Sequence, residues 1–416
     1  MLTIVHFFLC CRFYGHNFIM PYTLSDFFLM LNLILVLLSL VYGFGNVVTL
    51  DPFFKTCFLL VIGIVGSTVG LFINVRNGIF CKINKLLANF FHCQIRYKSY
   101  IRLCIYIIFF FLAFVTAFMI AISDDPFLWL TSPRQAYMTI SNNLGMFWFF
   151  STSLLKIMFI LFLFSLALRR VKKKIVILFS SLPFIILAYF LGSKGLAVSF
   201  LIGSAIYWNY YVKRISLIEF LLFGAGIISF IWLLLILYHP LSWFKYFDYF
   251  YNTAVFMSHS EEIGKYYGRI FFEDVQYLVP RIFYPEKERV YGFNKYVYEL
   301  LWPGVVSKGR TTPGFLGDVY TYVNFGFTGV FLYALISQVL NRLLFVFATT
   351  QDKKDFIPFL ILMQINGFSI INLAAPFLPT LIIFIATFYL VIVFLKLTLH
   401  VFGVIFREKL LLKVSQ

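Results

Sequence analysis

Residues 101–122 read IRLCIYIIFFFLAFVTAFMIAI, an apolar run whose only charge is Arg102. About 20 such residues in a helix cross the hydrocarbon core of a bilayer. Similar runs recur along the chain, which is 62% hydrophobic and only 12% charged. That composition cannot supply the polar surface that a water-soluble protein needs. The sequence therefore predicts an all-α polytopic membrane protein.

We predict about 10 membrane-spanning helices, divided by one long polar block. Residues 1–238 hold helices 1–7, residues 239–315 form a large extracytoplasmic loop, and residues 316–416 hold helices 8–10 and a tail. The predicted spans are 25–45, 54–74, 101–122, 144–168, 175–191, 196–212, 215–238, 316–340, 356–375 and 378–400.

Lys and Arg are distributed unevenly between alternate loops, with 20 in one set of loops and tails and 12 in the other. By the positive-inside rule the richer set is cytoplasmic. This set includes both termini, residues 76–102 and residues 169–174, so the block 239–315 lies outside the cytoplasm. The same topology accounts for the formal net charge of +17 without a nucleic-acid partner.

Signatures of soluble enzymes are missing from the chain. It contains no phosphate-cradling GxxxxGK[ST], GxGxxG, GxSxG or HExxH pattern. No CxxC spacing occurs, and the adjacent acids Asp124 and Asp125 diverge rather than form a metal-binding pair. We therefore expect neither a metal nor a cofactor.

Met20 is an alternative start of translation.

Local patterns predict three further features. Gly63, Gly66 and Gly70 form a small-residue face suited to close helix packing. Residues 261–279 have helical charge spacing and end at Pro280. The triplet 324–326, Asn-Phe-Gly, allows a kink about one-third of the way into its span.

Several basic residues fall in extracytoplasmic segments, where the positive-inside rule disfavours them. Guanidinium groups bind phosphate oxygens bidentately, and lysine supplies a compact charge. These side chains therefore either bind phosphate, or pair with acids of the long block, or contact lipid headgroups. They are Arg134, Lys194, Arg269, Arg281, Lys287, Arg289, Lys308 and Arg310.

Three ordered stretches resemble a known family. They are SPRQAY (132–137) leading into NLG (143–145), GSKG (192–195), and VPRIFYPEK (279–287) with TPGFLGDVY (312–320) and YVNFG (322–326). In order, spacing and membrane context they resemble the Wzy-type polymerases, which join oligosaccharide repeat units of bacterial O-antigen or capsule. This chain departs from the family pattern at three positions. Lys194 replaces the usual Arg, and Asp318 stands where Glu is more common. An Arg that the family often has near Ser141 is absent.

The resemblance implies a glycosyltransferase in the bacterial inner membrane, with both termini cytoplasmic and the reaction on the periplasmic face. Its partners would be donor and acceptor glycans linked to undecaprenyl pyrophosphate, membrane lipid, and a chain-length regulator protein. The acceptor hydroxyl attacks the anomeric carbon of the donor, and lipid pyrophosphate leaves. Phosphate-binding cations, a base and sugar-stacking aromatic rings are the groups that this reaction needs.

On this resemblance, Arg134, Arg281 and Arg310 bind pyrophosphate, with Lys194 and Lys287 as further cations. Asp318 is the candidate base at the outer mouth of span 316–340, although an acid there also complements a helix dipole. His239 and His259 are the other titratable candidates, and a lone histidine is also a common structural residue. Tyrosines either stack on sugars or form an interface belt. The tyrosines that we single out are Tyr137, Tyr284 and Tyr320.

Two other functions compete with a polymerase. An O-antigen ligase also uses lipid-pyrophosphate-linked glycan and has a long outer loop. A lipid-linked oligosaccharide flippase or transporter would instead place charges deep in helices that line a cavity. The long outer block and the few charges inside the spans favour the polymerase.

Overall fold

The computed structural model describes a defined part of the chain, in which the backbone is helical without a strand. Most of predicted span 25–45 and nearly all of span 378–400 lie outside it. The described residues are 1–21, 23, 26, 29–30, 33, 49–76, 78, 80–82, 85–86, 98–123, 125–131, 133–238, 249–259, 266–270, 293, 296–297, 315–316, 318–352, 355–366 and 393.

The helices of this part are numbered in chain order, and a π-helix, Trp208–Val212, continues the seventh. They are α1 (Leu2–Phe13), α2 (Leu50–Phe72), α3 (Lys98–Ile122), α4 (Leu128–Thr131), α5 (Pro133–Leu168), α6 (Lys174–Phe190), α7 (Lys194–Tyr207), α8 (Leu217–Tyr238), α9 (Tyr249–Ser258), α10 (Asp318–Thr350) and α11 (Phe356–Ile365).

Four stretches of the described chain are long and apolar enough to cross a membrane: Leu50–Phe72, Cys104–Ile122, Ser151–Leu168 and Asp318–Thr350. On α3, the rings of Phe110 and Phe114 are each 69% exposed. Exposed rings of this size are unfavourable in water and favourable in lipid. The chain is thus an all-helical, multi-pass membrane protein, as the sequence predicts. The count of about 10 spans stays a prediction.

Helix α5 begins earlier than the sequence predicts. The segment 123–143 was expected to be an outer loop, but α4 lies within it and α5 starts at Pro133. Proline is favoured in the first helical turn, because its missing N–H has no partner there and its φ already suits a helix. The loop prediction was wrong for most of this segment.

Three packing clusters hold the described helices together. The largest joins α3, α5, α6, α7 and α11 around Phe159, Phe164 and Phe200. A second joins α2, α9 and α10 to buried residues of the long block, Ile270 and Val297. The third packs α1 against Leu71 at the end of α2 and against Phe220 and Phe345. The long block is therefore attached to the α2–α10 pair.

Helices α2 and α10 cross at the predicted glycine face, which confirms that prediction. A Cβ on Gly66 would lie 2.4 Å from the carbonyl oxygen of Phe331, and one on Gly70 would lie 2.8 Å from Cβ of Gln338. Any larger residue at Gly66 would force the helices apart, because its Cβ would clash with the backbone of Phe331, which cannot rotate away as a side chain can.

Helix α10 is broken at the predicted glycine, and the break is a fold-back rather than a gentle kink. Gly326 has φ 65° and ψ −160°, a conformation that side-chain-bearing residues rarely adopt. A Cβ on Gly329 would lie 3.2 Å from the carbonyl oxygen of Thr321. Eight residues of straight helix would separate these positions by about 12 Å. Residues 318–325 therefore pack back against the start of the segment 327–350.

The helices have two distinguishable ends. At one, which we call the cavity end, residues that follow α2 and α7 meet the C-terminal part of α10 around a cavity lined by Asn74, Tyr210 and Phe345. The hydroxyl of Tyr207 donates to the carbonyl of Val171 at 2.9 Å, which brings the end of α5 here too. All of these segments are cytoplasmic in the predicted topology.

At the other end, which we call the block end, residues of the long block pack on the α2–α10 pair. The ring of Phe250 in α9 lies 5.5 Å from that of Phe53 at the start of α2. Tyr189 donates to the carbonyl of Leu130 at 3.2 Å, joining the end of α6 to α4. This is the predicted extracytoplasmic end.

Candidate functional site

The Asp318 carboxylate lies beside the middle of α2. Its Oδ2 atom is 3.0 Å from the position that a Cβ on Gly63 would occupy. Gly66, less than one turn further along α2, instead contacts Phe331. The fold-back therefore brings Asp318 and Phe331, which are 13 residues apart in α10, to neighbouring positions on α2. The sequence predicted Asp318 at the outer mouth of its span. That placement was wrong, since the broken helix carries the carboxylate to the depth of Gly63.

The fold-back is fixed by the long block. The backbone N–H of Tyr266 donates to the carbonyl of Val323 at 3.3 Å, and that of Tyr267 donates to the carbonyl of Asn324 at 2.9 Å. A broken helix leaves carbonyls without intrahelical donors, and in a membrane such groups must be satisfied by protein. Tyr267 and Gly268 have φ of 47° and 85°, so the helix predicted over 261–279 is interrupted there. The rest of that predicted helix, 261–265 and 271–279, lies outside the described residues.

Asn324 contributes a polar atom at the break. The side chain is completely buried, and its Nδ2 donates to the carbonyl of Tyr320 at 3.0 Å. Its Oδ1 has no hydrogen-bond partner among the described residues. A buried acceptor without a donor is costly, so this oxygen adds to the cost of the break in α10.

Aromatic rings from the long block surround the first half of α10. Tyr320 is half-buried, and its ring meets that of Phe293 edge to face at a centroid distance of 5.2 Å. Tyr266 and Tyr296 are paired similarly at 4.8 Å. Burial, reinforced by the hydroxyl of Tyr266, raises the pKa of the Tyr296 phenol. Tyr296 is therefore a neutral hydrogen-bonding group and not a base.

Two predicted cations begin helices. Arg134 is the second residue of α5, with Tyr137 in the next turn, and Lys194 is the first residue of α7. The structure describes the backbone at these three positions. Both helices start at the end opposite the cavity, and helix N-termini attract anions. This placement agrees with a phosphate-binding role for Arg134 and Lys194, which stays a prediction.

The remaining predicted site residues lie outside the described residues: His239, Arg281, Tyr284, Lys287 and Arg310. The other histidine candidate, His259, is described. Its Nδ1 lies 3.0 Å from the carbonyl of Val255 at the end of α9, which is the contact of a structural histidine.

A buried polar network at the junction of α1, α2 and α10 was missed by sequence reasoning. His6 Nδ1 lies 3.1 Å from both carboxylate oxygens of Asp26, and His6 Nε2 lies 2.9 Å from Ser67 Oγ. Ser67 donates to Gln338 Oε1 at 3.2 Å, and Gln338 Nε2 donates to the Tyr14 hydroxyl at 3.4 Å. The chain of bonds thus runs from a buried acid to Tyr14, which lines the cavity.

Proton counting assigns the charge of this network. Ser67 gives its one proton to Gln338, so it must accept a proton from Nε2 of His6. The second proton then lies between His6 Nδ1 and Asp26. The pair carries no net charge in either arrangement, as an apolar environment requires.

His6, Cys10 and Asp26 also form the one group of potential metal ligands that the described residues contain, with ligand atoms within 4.8 Å of one another. The spacing of His6 and Cys10, four residues apart on one helix, is the signal that sequence reasoning could have used. Both ring nitrogens of His6 already have hydrogen-bond partners. The geometry fits a closed polar network.

Comparison with known proteins identifies no relative, because no protein-family model, no curated protein and no solved structure matches the chain. The site must therefore be interpreted from its own chemistry.

Proposed function

We propose that this protein is a membrane glycosyltransferase that polymerises oligosaccharide repeat units linked to undecaprenyl pyrophosphate on the periplasmic face of the bacterial inner membrane. The observation that supports the proposal is the position of Asp318. Ionisable residues at membrane depth are rare and usually functional, and irregular backbone at that depth typically borders a binding site.

In the proposed reaction, the Asp318 carboxylate takes the proton from the attacking hydroxyl of the acceptor glycan. The oxygen forms a bond to the anomeric carbon of the donor, and the bond from that carbon to lipid pyrophosphate breaks. Positive charges stabilise the leaving diphosphate. Arg134, Lys194, Arg281, Lys287 and Arg310 supply those charges.

The remaining parts of the site suit a lipid-linked sugar. Tyr320, which is half-buried at the start of α10, can donate a hydrogen bond to a sugar. The aromatic rings of the block end offer apolar faces on which sugars stack. The long block holds the fold-back through Tyr266 and Tyr267, so the proposed catalytic base is positioned by the same block that contains the predicted diphosphate-binding cations.

A lipid-linked oligosaccharide flippase is the second candidate, and one observation favours it. That function predicts polar groups deep in the helices, and both Asp318 and the His6–Asp26 pair occupy such positions. An O-antigen ligase shares the donor chemistry of the polymerase.

Replacing Arg281 with alanine should lower the amount of glycan longer than one repeat unit about 100-fold, the cost of losing one charge-stabilising donor. Arg281→Lys should be only partly active, because lysine keeps the charge and loses the bidentate geometry. Glycan length is measured on gels of lipopolysaccharide or capsule from cells that carry each variant.

Arg269→Ala is the matched control for this experiment. Arg269 is an exposed cation of the same block that is not among the residues proposed to bind the pyrophosphate, and its loss should leave chain length unchanged. Membrane abundance of each variant is followed by immunoblot. Wild-type chain lengths from Arg281→Ala at normal abundance would remove Arg281 from the site.

A further inference from the structure

The cavity end contains a strongly cationic chamber that the proposed function does not use. The cavity has a volume of about 1250 Å³, above the roughly 300–1,000 Å³ of typical small-ligand sites. No aspartate or glutamate lines it within the described part of the chain. Six basic residues do: Arg12, Arg76, Lys85, Lys213, Arg214 and Arg342.

These six charges come from separate segments that the fold brings together. They lie at the end of α1, after α2, after the π-helix and on α10. Like charges from four parts of the chain repel one another unless an anion lies between them. Basic loops are expected on the cytoplasmic side, but the positive-inside rule does not require them to surround one cavity.

One of the six cations is anchored as part of the wall. The Arg342 guanidinium donates to the carbonyls of Gly70, Leu71 and Ile73 at the C-terminus of α2, with the last bond at 2.5 Å. Its guanidinium also lies 5.2 Å from the centre of the Phe13 ring. Arg342 therefore fixes the shape of the chamber. The other five cations are exposed and remain for a ligand: Arg12, Arg76, Lys85, Lys213 and Arg214.

Neutral polar residues complete the lining. Tyr210 and Asn209 belong to the π-helix, whose wider turn is a common feature of functional sites. The Tyr210 hydroxyl donates to the carbonyl of Ile19 at 2.6 Å, and Asn209 Oδ1 accepts from the N–H of Ile215 at 3.0 Å. These bonds fix the π-helix against the segment after α1, so the chamber is preorganised.

We propose that this chamber binds a phosphate-bearing anion, either the headgroup of an anionic phospholipid or a soluble phosphate compound. Arg and Lys side chains are the preferred donors to phosphate oxygens, and basic pockets between helices on the cytoplasmic side recognise anionic headgroups. The proposed polymerase reaction uses Asp318 beside the middle of α2 and cations toward the block end, none of which is among the described residues that line this cavity, so this inference is independent of it.

The test uses detergent-purified full-length protein. Binding of phosphatidylglycerol is measured by native mass spectrometry, with phosphatidylcholine as the neutral lipid. Binding of inorganic pyrophosphate is measured as a shift in the thermal unfolding midpoint at constant ionic strength. The chamber variant is Arg76→Gln, Lys213→Gln, Arg214→Gln. The control variant, Arg169→Gln, Lys172→Gln, Lys173→Gln, removes the same charge from exposed residues that do not line the chamber.

Wild-type protein and the control variant should bind at least one phosphate probe. The chamber variant should bind the same probe about 100-fold more weakly, because the loss of three charges removes attraction to the phosphate. Binding of phosphatidylglycerol alone assigns a headgroup, whereas a pyrophosphate shift assigns a soluble phosphate compound. Equal losses in both variants, or no preference of the wild-type protein for either probe over phosphatidylcholine, would overturn the proposal.

Discussion

Asp318→Asn should leave the protein in the membrane at normal abundance and lower the yield of glycan longer than one repeat unit by about 100-fold to 10,000-fold. That range is what a positioned acid or base typically contributes to a reaction. Asparagine has nearly the same shape as aspartate, so it fits beside Gly63 but cannot accept a proton from the acceptor hydroxyl. The measurement is the glycan ladder, quantified against membrane protein.

Asp51→Asn is the control for Asp318. Asp51 is an exposed acid in the first turn of α2 and pairs with Lys55 at 3.1 Å, an interaction of little energetic value. Its loss should leave the ladder unchanged. If Asp318 only complemented the helix dipole, the asparagine variant would lose about 0.3–1 kcal/mol of stability and retain full activity. A normal ladder from Asp318→Asn thus excludes it as the base.

His6→Ala should lower the free energy of unfolding by about 3–5 kcal/mol, because it leaves the Asp26 carboxyl group buried without its partner. It also removes the donor that Ser67 requires. The double variant His6→Leu, Asp26→Leu should recover much of this loss, since replacing both buried partners with apolar groups is often neutral. The unfolding midpoint in one detergent measures both effects.

His16→Asn is the matched histidine control. His16 is exposed and has φ 59°, a conformation that asparagine tolerates. Its replacement should change the midpoint little. If His6→Ala is as stable as the wild-type protein, or if the double variant is less stable than His6→Ala, the network does not hold α1 against α2 and α10.

Some of the fold follows from local rules and was predictable. The glycine face of α2 has helical spacing, so its role at a close crossing could be inferred without knowing the partner helix. The break at Gly326 was also indicated by local sequence. The extent of the break was not, because a fold-back depends on Tyr266 and Tyr267, which are distant in the chain.

The candidate site was predictable in residue type more than in position. Asp318 stood out as an acid at a span end, but its depth beside Gly63 is set by tertiary packing. The spacing of His6 and Cys10 was a weak signal that did not point to Asp26, and a lone serine such as Ser67 carries no information about its partners. The six chamber cations read individually as cytoplasmic loop charges, and only the fold shows that they share one cavity.

The central claim is that this chain joins repeat units rather than moving or transferring them. Deleting its gene and separating the cell's lipopolysaccharide on a gel tests that claim most directly. The proposal predicts lipid A-core capped with a single repeat unit and no longer glycan, with the full ladder restored by the wild-type gene. Loss of all capped core would indicate a flippase or a ligase, and an unchanged ladder would contradict a role in polymerisation.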